Sequence, residues 1–481
     1  MENTKTTNTA KKNKITSIID FLSSITKRKK NSSHSLSPSE KKRIKKLMDE
    51  CIQEAGGEVA ARERAANIGQ SYFELDKEGR KEVLLLLLSF KHNEKQIKEE
   101  IIKITEDLDE SKNFKEINIY DLKKALISPR KKILKNFNFL ENGISLLVEM
   151  REDLLKFIDT GSSELIPLEK DFEYLLNSWF DIGFLNLERI TWDSSASILQ
   201  KVILYEAVHK IKSWTDLENR LSEDRRFYAF FHPRLKGIPL IFVEIALMKK
   251  VADSVQEILK EEREFEDVEM ANTAIFYSIS NTQNGLRGIS FGNFLIKRVV
   301  KELQNDFPKL KNFVTLSPIP RFVPWLKEMI KKNKLEDLVR NSIVADKKKA
   351  DVIEEKTKKI VKDLKAIVAD TTIGFKNHEE KYVNEVLKPI IERLCAVYLL
   401  NEKEDWGNDS VLKFHLNNGA YIYRLNWQGD TSENGFKQSL GLMVNYWYDL
   451  KDVEKNHEEF SMNKKIHSSN IKKMLNNKIT L

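Results

Sequence analysis

Three glycines stand close together in an otherwise glycine-poor chain. Gly285, Gly288 and Gly292 fall within eight positions, whereas the whole chain of 481 residues contains 17 glycines. The preceding run TAIFYSIS predicts a strand, and the following run FLIKRVVKELQNDF has the apolar spacing of an amphipathic helix. A glycine-rich turn between a strand and a helix N-terminus presents backbone N–H groups to an anion. Two interpretations stay open for this segment, a phosphate-binding turn and a purely structural turn.

The sequence of the glycine segment limits which class of phosphate-containing ligand it would bind. Arg287 supplies a cation beside the turn. The segment lacks the Gly-Lys-Ser/Thr ending of a P-loop and the Gly-x-Gly-x-x-Gly spacing of a dinucleotide turn. A ligand phosphate that belongs to neither a hydrolysed triphosphate nor NAD fits the pattern better.

A serine and a histidine in two later segments have side chains suited to proton transfer. Ser317 lies in TLSPIP, where Pro318 holds the serine in an extended conformation. His415 lies in KFHLNNGAYIYRLNW, just before an Asn-Asn-Gly turn and a predicted strand, and imidazole is the natural general acid near neutral pH. On the residues alone, a turn serine before proline and a structural histidine at a strand end are the alternatives.

Charge and cysteine usage exclude several classes of protein. The net charge is +8, but lysine and glutamate are interleaved, which indicates solvated helix surfaces. No basic patch alternates with aromatic residues, so we expect no nucleic-acid partner. Cys51 and Cys395 are the only cysteines, which excludes a disulfide framework and a zinc site and fits a reducing compartment. No spacing of His, Cys or Asp indicates a metal site.

The chain shows no signal for the membrane or for secretion. No run reaches about 18 apolar residues, so we expect no membrane span. The N-terminus lacks the compact apolar core and cleavage site of a secretory signal. We expect a cytoplasmic protein. The run ITSIIDFLSSITKRKK leaves mitochondrial targeting as the alternative.

Composition divides the chain into four parts. Residues 1–37 are polar and basic and predict a disordered tail, and residues 38–183 repeat the apolar spacing of helices. Residues 184–452 alternate strand-like and helical runs, which predicts a mixed α/β domain with a lysine-rich helical insertion at about 335–400. Residues 453–481 return to a polar, Lys/Asn-rich composition and predict a C-terminal tail.

Three long segments carry a family resemblance. They read AIFYSISNTQNGLRGISFGNFLIKRVVKELQNDFP, LSPIPRFVPWL and FHLNNGAYIYRLNWQGDTSENGFKQSLGLMVNYWYDL. In these segments the chain resembles the malonyl-CoA decarboxylases, over residues 45–450 or so and most strongly after 185. The resemblance implies an α+β fold, with an all-α helical-bundle N-terminal domain followed by an acetyltransferase-like (GNAT) catalytic domain. It also implies conversion of malonyl-CoA to acetyl-CoA and CO2 without metal or PLP, and a homo-oligomer.

The same resemblance assigns roles to individual residues. It makes Ser317 a hydrogen-bond partner and proton relay, and His415 the donor of a proton to the enolate carbon. It makes Tyr448 the residue that orients the imidazole, with an aromatic core residue as the alternative. Lys201 matches a lysine that meets a carboxylate or phosphate, with a solvated helix lysine as the alternative. Some relatives carry glutamate where this chain has Ser290. The implied coenzyme A-binding run comprises Arg287, Gly288, Ile289, Ser290, Phe291, Gly292 and Asn293.

Other functions on the same fold stay open. An acyl-CoA N-acyltransferase would share the fold, because a fold does not fix a function. A non-catalytic malonyl-CoA-binding protein would share the site. Incubation with malonyl-CoA alone separates these alternatives, because decarboxylation releases CO2 without an acceptor amine.

Overall fold

The computed structural model describes residues 34–109, 119–180, 182–289, 295–344, 350–400, 409–462, 464–476 and 478–480. These residues form two compact units. The first comprises the described residues up to Phe184, together with 232–236 and 283–289. The second comprises 185–231, 237–282 and the described residues from 295 onward.

The first unit is built from helices whose ends are set by local sequence signals. Helix α1 begins after Ser37, which forms a capping box with Glu40 and is followed by Pro38. Such a cap contributes about 0.5–2 kcal/mol. The run NIYDLKKALISPRKKILKNF has helical apolar spacing throughout, but it forms two helices, the second of which begins directly after Pro129. The helices are α1 Pro38–Ile52, α2 Gly57–Glu74, α3 Lys77–Ser89, α4 Glu94–Asp109, α5 Tyr120–Ala125, α6 Arg130–Asn138, α7 Gly143–Asp159 and α8 Ile166–Trp179.

The second unit contains an eight-stranded mixed sheet. The strand order is β1-β2-β3-β4-β5-β8-β6, and β7 pairs with β8. Most neighbours are antiparallel, but β4 and β5 are parallel. The strands are β1 Asn186–Ile190, β2 Arg225–Phe231, β3 Pro239–Met248, β4 Thr273–Asn281, β5 Asn312–Thr315, β6 Ser317–Pro318, β7 Tyr421–Asn426 and β8 Met443–Trp447.

The parallel pairing between β4 and β5, in the middle of the sheet, ends before strand β4 does. The register of β4 with β5 stops at Phe276 and Thr315, although β4 itself continues to Asn281. The register of β4 with β3 also shifts between Glu244 and Ile245. Ser317, which begins β6, then pairs with β8 instead. The sheet therefore changes partners at the segment that contains the predicted serine.

Helices of the second unit connect and cover the strands. They are α9 Ala196–Tyr205, α10 Trp214–Arg220, α11 Val255–Leu259, α12 Leu295–Asp306, α13 Phe322–Lys331, α14 Leu335–Ser342, α15 Ala350–Ala369, α16 Glu380–Tyr382, α17 Lys388–Leu400, α18 Ser410–Asn417, α19 Glu433–Ser439, α20 Val453–Ser461 and α21 Ser469–Asn476. A π-helical turn, Val383–Leu387, joins α16 to α17. Helix α12 connects the parallel strands β4 and β5, so its N-terminus follows the glycine segment.

The C-terminal segment is more ordered than its composition predicts. Residues 453–481 are predicted as a polar tail, but they contain α20 and α21. Asn456 Nδ2 donates to Gly419 O (3.1 Å), and Ile479 N donates to Ser342 O (2.8 Å). Ile471 is fully buried. One side-chain hydrogen bond, one backbone hydrogen bond and the buried Ile471 thus attach a segment whose composition is mostly polar.

Each unit carries one buried cysteine. Cys51 lies in α1 and Cys395 in α17, and both are free thiols. Burial raises the pKa of Cys51 to about 11 and raises the pKa of Cys395 as well. Both side chains are therefore neutral packing groups at neutral pH.

The predicted α+β class is confirmed, with a helical first unit and a mixed sheet in the second. Five runs rich in β-branched and aromatic residues predict strands, and they match β2, β3, β4, β5 with β6, and β7 in that order: FYAFFHP, IPLIFVEIAL, TAIFYSIS, KNFVTLSPIP and GAYIYRLNW. Among the described residues, no helix is long and apolar enough to cross a membrane.

Candidate active site

Ser317, His415 and Tyr448 form a line of hydrogen bonds inside the second unit. Ser317 Oγ lies 3.0 Å from His415 Nε2, and Tyr448 Oη lies 2.8 Å from His415 Nδ1. The three side chains are 5%, 3% and 2% exposed, respectively. The structure therefore brings together the three residues to which the resemblance assigns catalysis, although Ser317 and His415 are 98 positions apart.

Each residue of the line is held by a different element. Ser317 begins β6, where it pairs with Val444 of β8. His415 lies in the last turn of α18 rather than at a strand end. Tyr448 follows β8 directly, and its N–H donates to Phe313 O (2.9 Å) of β5. Three regular elements thus fix the geometry with little freedom left to the side chains.

Helix α18 is anchored at its N-terminus by a buried carboxylate. Asp409 Oδ1 accepts hydrogen bonds from the N–H groups of Val411 and Leu412, both at 3.0 Å. Asp409 Oδ2 accepts from Tyr398 Oη at 3.0 Å. A capping side chain of this kind stabilises the first turn of a helix. The cap therefore fixes the short helix that carries His415.

The surroundings of His415 keep its ring uncharged. The imidazole stacks on Tyr446, with ring centroids 4.5 Å apart and planes 24° apart. Burial lowers the pKa of His415 to about 3, because a charged imidazole loses its hydration. Burial also raises the pKa of Tyr448, so the phenol keeps its proton. At neutral pH the line therefore consists of a hydroxyl, a neutral imidazole and a phenol.

Thr315 extends the line, and sequence analysis did not identify it. Ser317 Oγ donates to Thr315 Oγ1 (2.9 Å), which also accepts from Tyr446 N (3.0 Å). Thr315 is fully buried. The sequence signal that could have identified Thr315 is its position two residues before Ser317, because residues i and i+2 of an extended segment lie on one face.

Two of the three clustered glycines, Gly285 and Gly288, lie in the first unit, and the structure gives a different physical reason for each. A Cβ atom at Gly285 would lie 1.9 Å from Val148 O of α7, so close packing requires glycine there. Gly288 has φ +80°, and among the described residues, its chain neighbours apart, no atom would lie within 4 Å of a Cβ atom there. Glycine is thus favoured at position 288 by the backbone conformation rather than by close packing.

A buried arginine holds the glycine turn from behind. Arg151 Nη1 donates to Gly285 O (2.6 Å) and Arg287 O (2.9 Å), while its Nη2 donates to Glu169 Oε1 (2.7 Å). Three amides of the turn donate to carbonyl groups within it: Leu286 N to Gln283 O (2.9 Å), Arg287 N to Asn284 O (3.0 Å) and Ile289 N to Leu286 O (3.0 Å). The expectation that the amides of this turn converge on an anion therefore does not extend to these three.

Arg287 and Lys201, both predicted as contacts for anionic groups, have partners in the protein. The Arg287 guanidinium binds both carboxylate oxygens of Asp159, at 2.9 and 3.0 Å, on the surface. This hydrogen-bonded pair lowers the pKa of Asp159 and raises that of Arg287. Lys201 Nζ donates to Gly237 O (2.7 Å) and to Ser197 Oγ (3.4 Å), which ties α9 to the loop after β2.

The rest of the predicted coenzyme A run lies outside the described residues. This applies to Ser290, Phe291, Gly292 and Asn293. Within the described ranges, no group of three His, Cys, Asp or Glu side chains is arranged to hold a metal ion.

The fold and the Ser317–His415–Tyr448 line define an α+β protein with a buried site for acid–base chemistry. The N-terminal domain model of malonyl-CoA decarboxylase matches residues 90–180, and the C-terminal domain model matches residues 183–480. The chain therefore belongs to the malonyl-CoA decarboxylase family.

Individual relatives agree with the domain matches. The chain is 39% identical over 350 residues to the mitochondrial malonyl-CoA decarboxylase of Anser anser anser, covering 71% of this chain and 68% of that protein. It is 37% identical over 356 residues to the mitochondrial enzyme of Rattus norvegicus, covering 72% and 71%.

Solved structures show the same relation. The crystal structure of malonyl-CoA decarboxylase from Rhodopseudomonas palustris matches with a TM-score of 0.75 and 37% identity, over 90% of this chain and 99% of that one. The enzyme from Agrobacterium vitis matches with a TM-score of 0.76 and 34% identity over the same shares.

Proposed function

We propose that this chain decarboxylates malonyl-CoA to acetyl-CoA and CO2. One observation carries the proposal. A chain that matches the family over both of its domains holds a serine, a neutral imidazole and a phenol in hydrogen-bond contact, with Ser317 Oγ 3.0 Å from His415 Nε2. These are the groups that a decarboxylase of a thioester needs, because it must stabilise an oxyanion and then protonate a carbon.

The proposed reaction breaks the bond between the malonyl carboxylate carbon and the adjacent carbon. The electron pair moves into the thioester carbonyl, which gives CO2 and the enolate of acetyl-CoA. The thioester carbonyl is itself the electron sink, so we write the reaction without metal or PLP. One proton must then reach the enolate carbon, which forms acetyl-CoA.

We assign the proton transfer to His415 and the hydrogen bonding to Ser317. The Ser317 hydroxyl stabilises charge near the thioester and relays a proton, and His415 Nε2 donates a proton to the enolate carbon. Tyr448 positions the imidazole through its hydrogen bond to Nδ1 (2.8 Å). A proton from the solvent then restores Nε2–H, so that the balanced reaction is malonyl-CoA plus one proton giving acetyl-CoA and CO2.

For the coenzyme A part of the substrate, including its diphosphate, we propose binding by the run from Arg287 to Asn293, as the family resemblance implies. Support comes from Gly288, whose φ is +80° and whose Cβ position lies more than 4 Å from the other described residues, its chain neighbours apart. Arg287 would have to exchange Asp159 for a phosphate in order to contribute, and the exposure of this pair allows the exchange at low energetic cost. Lys201 is a weaker candidate for contact with the substrate, because its ammonium group already donates a hydrogen bond to Gly237 O.

Three expectations accompany this proposal. A homo-oligomer stays a prediction. A cytoplasmic location also stays a prediction, with mitochondrial targeting as its alternative. The expected partners are the substrate malonyl-CoA and the product acetyl-CoA. Gel filtration with light scattering measures the oligomeric state of the purified chain.

The test is a coupled assay for acetyl-CoA formed from malonyl-CoA, without added metal, PLP or acceptor amine. Stoichiometric acetyl-CoA and CO2 support the proposal. Malonyl-CoA that is bound and left unchanged would identify a binding protein. A requirement for an acceptor amine would identify an acyltransferase. Either of these results overturns the proposal.

Gly288→Val is expected to raise KM for malonyl-CoA about tenfold and to change kcat little. The φ of +80° is strained for valine, and the new side chain fills the space through which the backbone approaches a phosphate. Tenfold corresponds to about 1.4 kcal/mol, the size of one weakened charge-assisted hydrogen bond. Steady-state kinetics over a range of malonyl-CoA concentrations measures both constants.

Gly57→Val is the matched control for this variant. Gly57 has φ +81°, and no atom of the described residues, its chain neighbours apart, lies within 4 Å of its Cβ position, but it begins α2 and has no proposed contact with substrate. The control should keep the wild-type KM. A fall in kcat alone at Gly288→Val would contradict the assignment of this turn to the diphosphate.

A further inference from the structure

We infer that Thr315 is a positioning residue that fixes which nitrogen of His415 carries the proton. The inference rests on four hydrogen bonds in the second unit and extends the proposed function, from which it takes only its kinetic test. Thr315 does not reach the imidazole. It acts through Ser317, whose hydroxyl lies between the two side chains.

In the contact between the two hydroxyls Ser317 is the donor and Thr315 is the acceptor, and the surroundings of Thr315 agree with this direction. Tyr446 N–H donates to Thr315 Oγ1 at 3.0 Å, and this donor is fixed because it belongs to strand β8. Ser317 Oγ also donates to Thr315 Oγ1, at 2.9 Å. A hydroxyl oxygen accepts two hydrogen bonds, so Thr315 has the capacity for both. In the ligand-free chain the single proton of Ser317 is thereby directed away from His415; in the proposed reaction the hydroxyl turns from Thr315 to the thioester oxygen when malonyl-CoA binds.

The tautomer of His415 follows from this direction. A neutral imidazole has one N–H donor and one acceptor nitrogen. Since Ser317 has used its proton on Thr315, the contact of 3.0 Å between Ser317 and His415 requires Nε2–H to donate to Oγ. Nδ1 is then the acceptor, and it takes the proton of the Tyr448 phenol at 2.8 Å. Burial keeps Tyr448 protonated, which agrees with its role as donor.

This order places a proton on Nε2, the ring nitrogen on the Ser317 side. The opposite order would have Thr315 donate to Ser317, Ser317 donate to Nε2, and Nδ1–H donate to Tyr448. In that order Nε2 has no proton to deliver. Thr315 therefore selects the tautomer that serves as a proton donor on the Ser317 side.

The test compares Thr315→Val, Thr315→Ser and the wild type in two measurements. In the first, 15N-labelled histidine reports the tautomer of the ligand-free chain, because protonated and bare ring nitrogens differ widely in chemical shift. The spectrum of His415→Asn identifies the His415 signals by their loss. We expect Nε2–H in the wild type and in Thr315→Ser, and Nδ1–H in Thr315→Val.

The second measurement is steady-state decarboxylation. Thr315→Val should lower kcat about 10- to 100-fold with KM within a factor of two, a loss smaller than the whole contribution of a positioned general acid, about 10²–10⁴. Thr315→Ser should retain wild-type kcat. Thr273→Val is the matched control, because Thr273 is also a buried threonine, at the start of β4, and its hydroxyl bonds only to polar groups outside the line. That control should keep wild-type kcat.

The outcomes separate this inference from the proposed function. Nδ1–H in the wild type, or an unchanged tautomer in Thr315→Val, overturns the inference even if the enzyme is active. The wild-type measurement stands by itself if Thr315→Val does not fold. A wild type that forms no acetyl-CoA from malonyl-CoA overturns the proposed function, and the tautomer measurement still decides the role of Thr315.

Discussion

Replacement of His415 by asparagine is expected to lower kcat for acetyl-CoA formation by about 10³-fold. The imidazole is the proposed proton donor to the enolate carbon, and a positioned general acid contributes about 10²–10⁴-fold. Asparagine keeps a polar group in the buried position but supplies no proton of comparable acidity. Affinity for coenzyme A, measured by titration calorimetry, should stay within a factor of three, because the diphosphate is assigned to the segment around Gly288.

His232→Asn is a suitable control for this result. His232 is also buried, and its Nε2 lies 3.2 Å from Trp179 O in the first unit, where it has no proposed role in the chemistry. It should keep kcat within a factor of three once folding is verified by circular dichroism. A His415→Asn enzyme that retained a third of the wild-type kcat would exclude His415 as the proton donor.

Ser317→Ala is expected to lower kcat by about 10²–10³-fold, the loss seen when one oxyanion donor is removed. The variant leaves His415 Nε2 without its partner at 3.0 Å and Thr315 Oγ1 without one of its two donors. Alanine removes only the hydroxyl from a residue that is 5% exposed, so the fold should tolerate the change. The assay is the same coupled measurement of acetyl-CoA, made at saturating malonyl-CoA.

Ser342→Ala provides the comparison for Ser317→Ala. Ser342 is also buried, and its hydroxyl donates to Leu338 O (2.8 Å) within α14. Loss of this hydroxyl should leave kcat unchanged. Equal losses in the two variants would show that the effect at Ser317 is one of general stability, and an activity within a factor of two of wild type would remove Ser317 from the mechanism.

The elements that carry the site were largely predictable from local patterns. The β-branched and aromatic run TAIFYSIS matches β4, and the apolar spacing of the next run matches α12. Local patterns are reliable here because each element is defined by neighbours a few residues away. The run ASILQKVILYEAVHKI has helical apolar spacing throughout, but helix α9 ends at Tyr205. The Glu206 carboxylate accepts hydrogen bonds from the N–H groups of Val208 and His209 and so holds a turn there.

The contacts that define the site were not predictable from local patterns. Ser317 and His415 are 98 positions apart, and Arg287 and Asp159 are 128 apart. No periodicity relates such distant residues. The residue types left structural alternatives open for Ser317 and His415, and only the family resemblance gave these two residues and Tyr448 a shared role. That resemblance named residues one at a time and omitted Thr315, whose role depends on the direction of a hydrogen bond.

Each of the two units contains one buried cysteine whose reaction with an alkylating reagent would report the unfolding of that unit. Because Cys51 and Cys395 are enclosed and protonated, alkylating reagents should react with neither thiol while the chain is folded. Mass spectrometry of the modified peptides after brief exposure to denaturant would then give a separate unfolding midpoint for each unit. A difference between the two midpoints would measure how far the helical unit and the sheet unit melt independently.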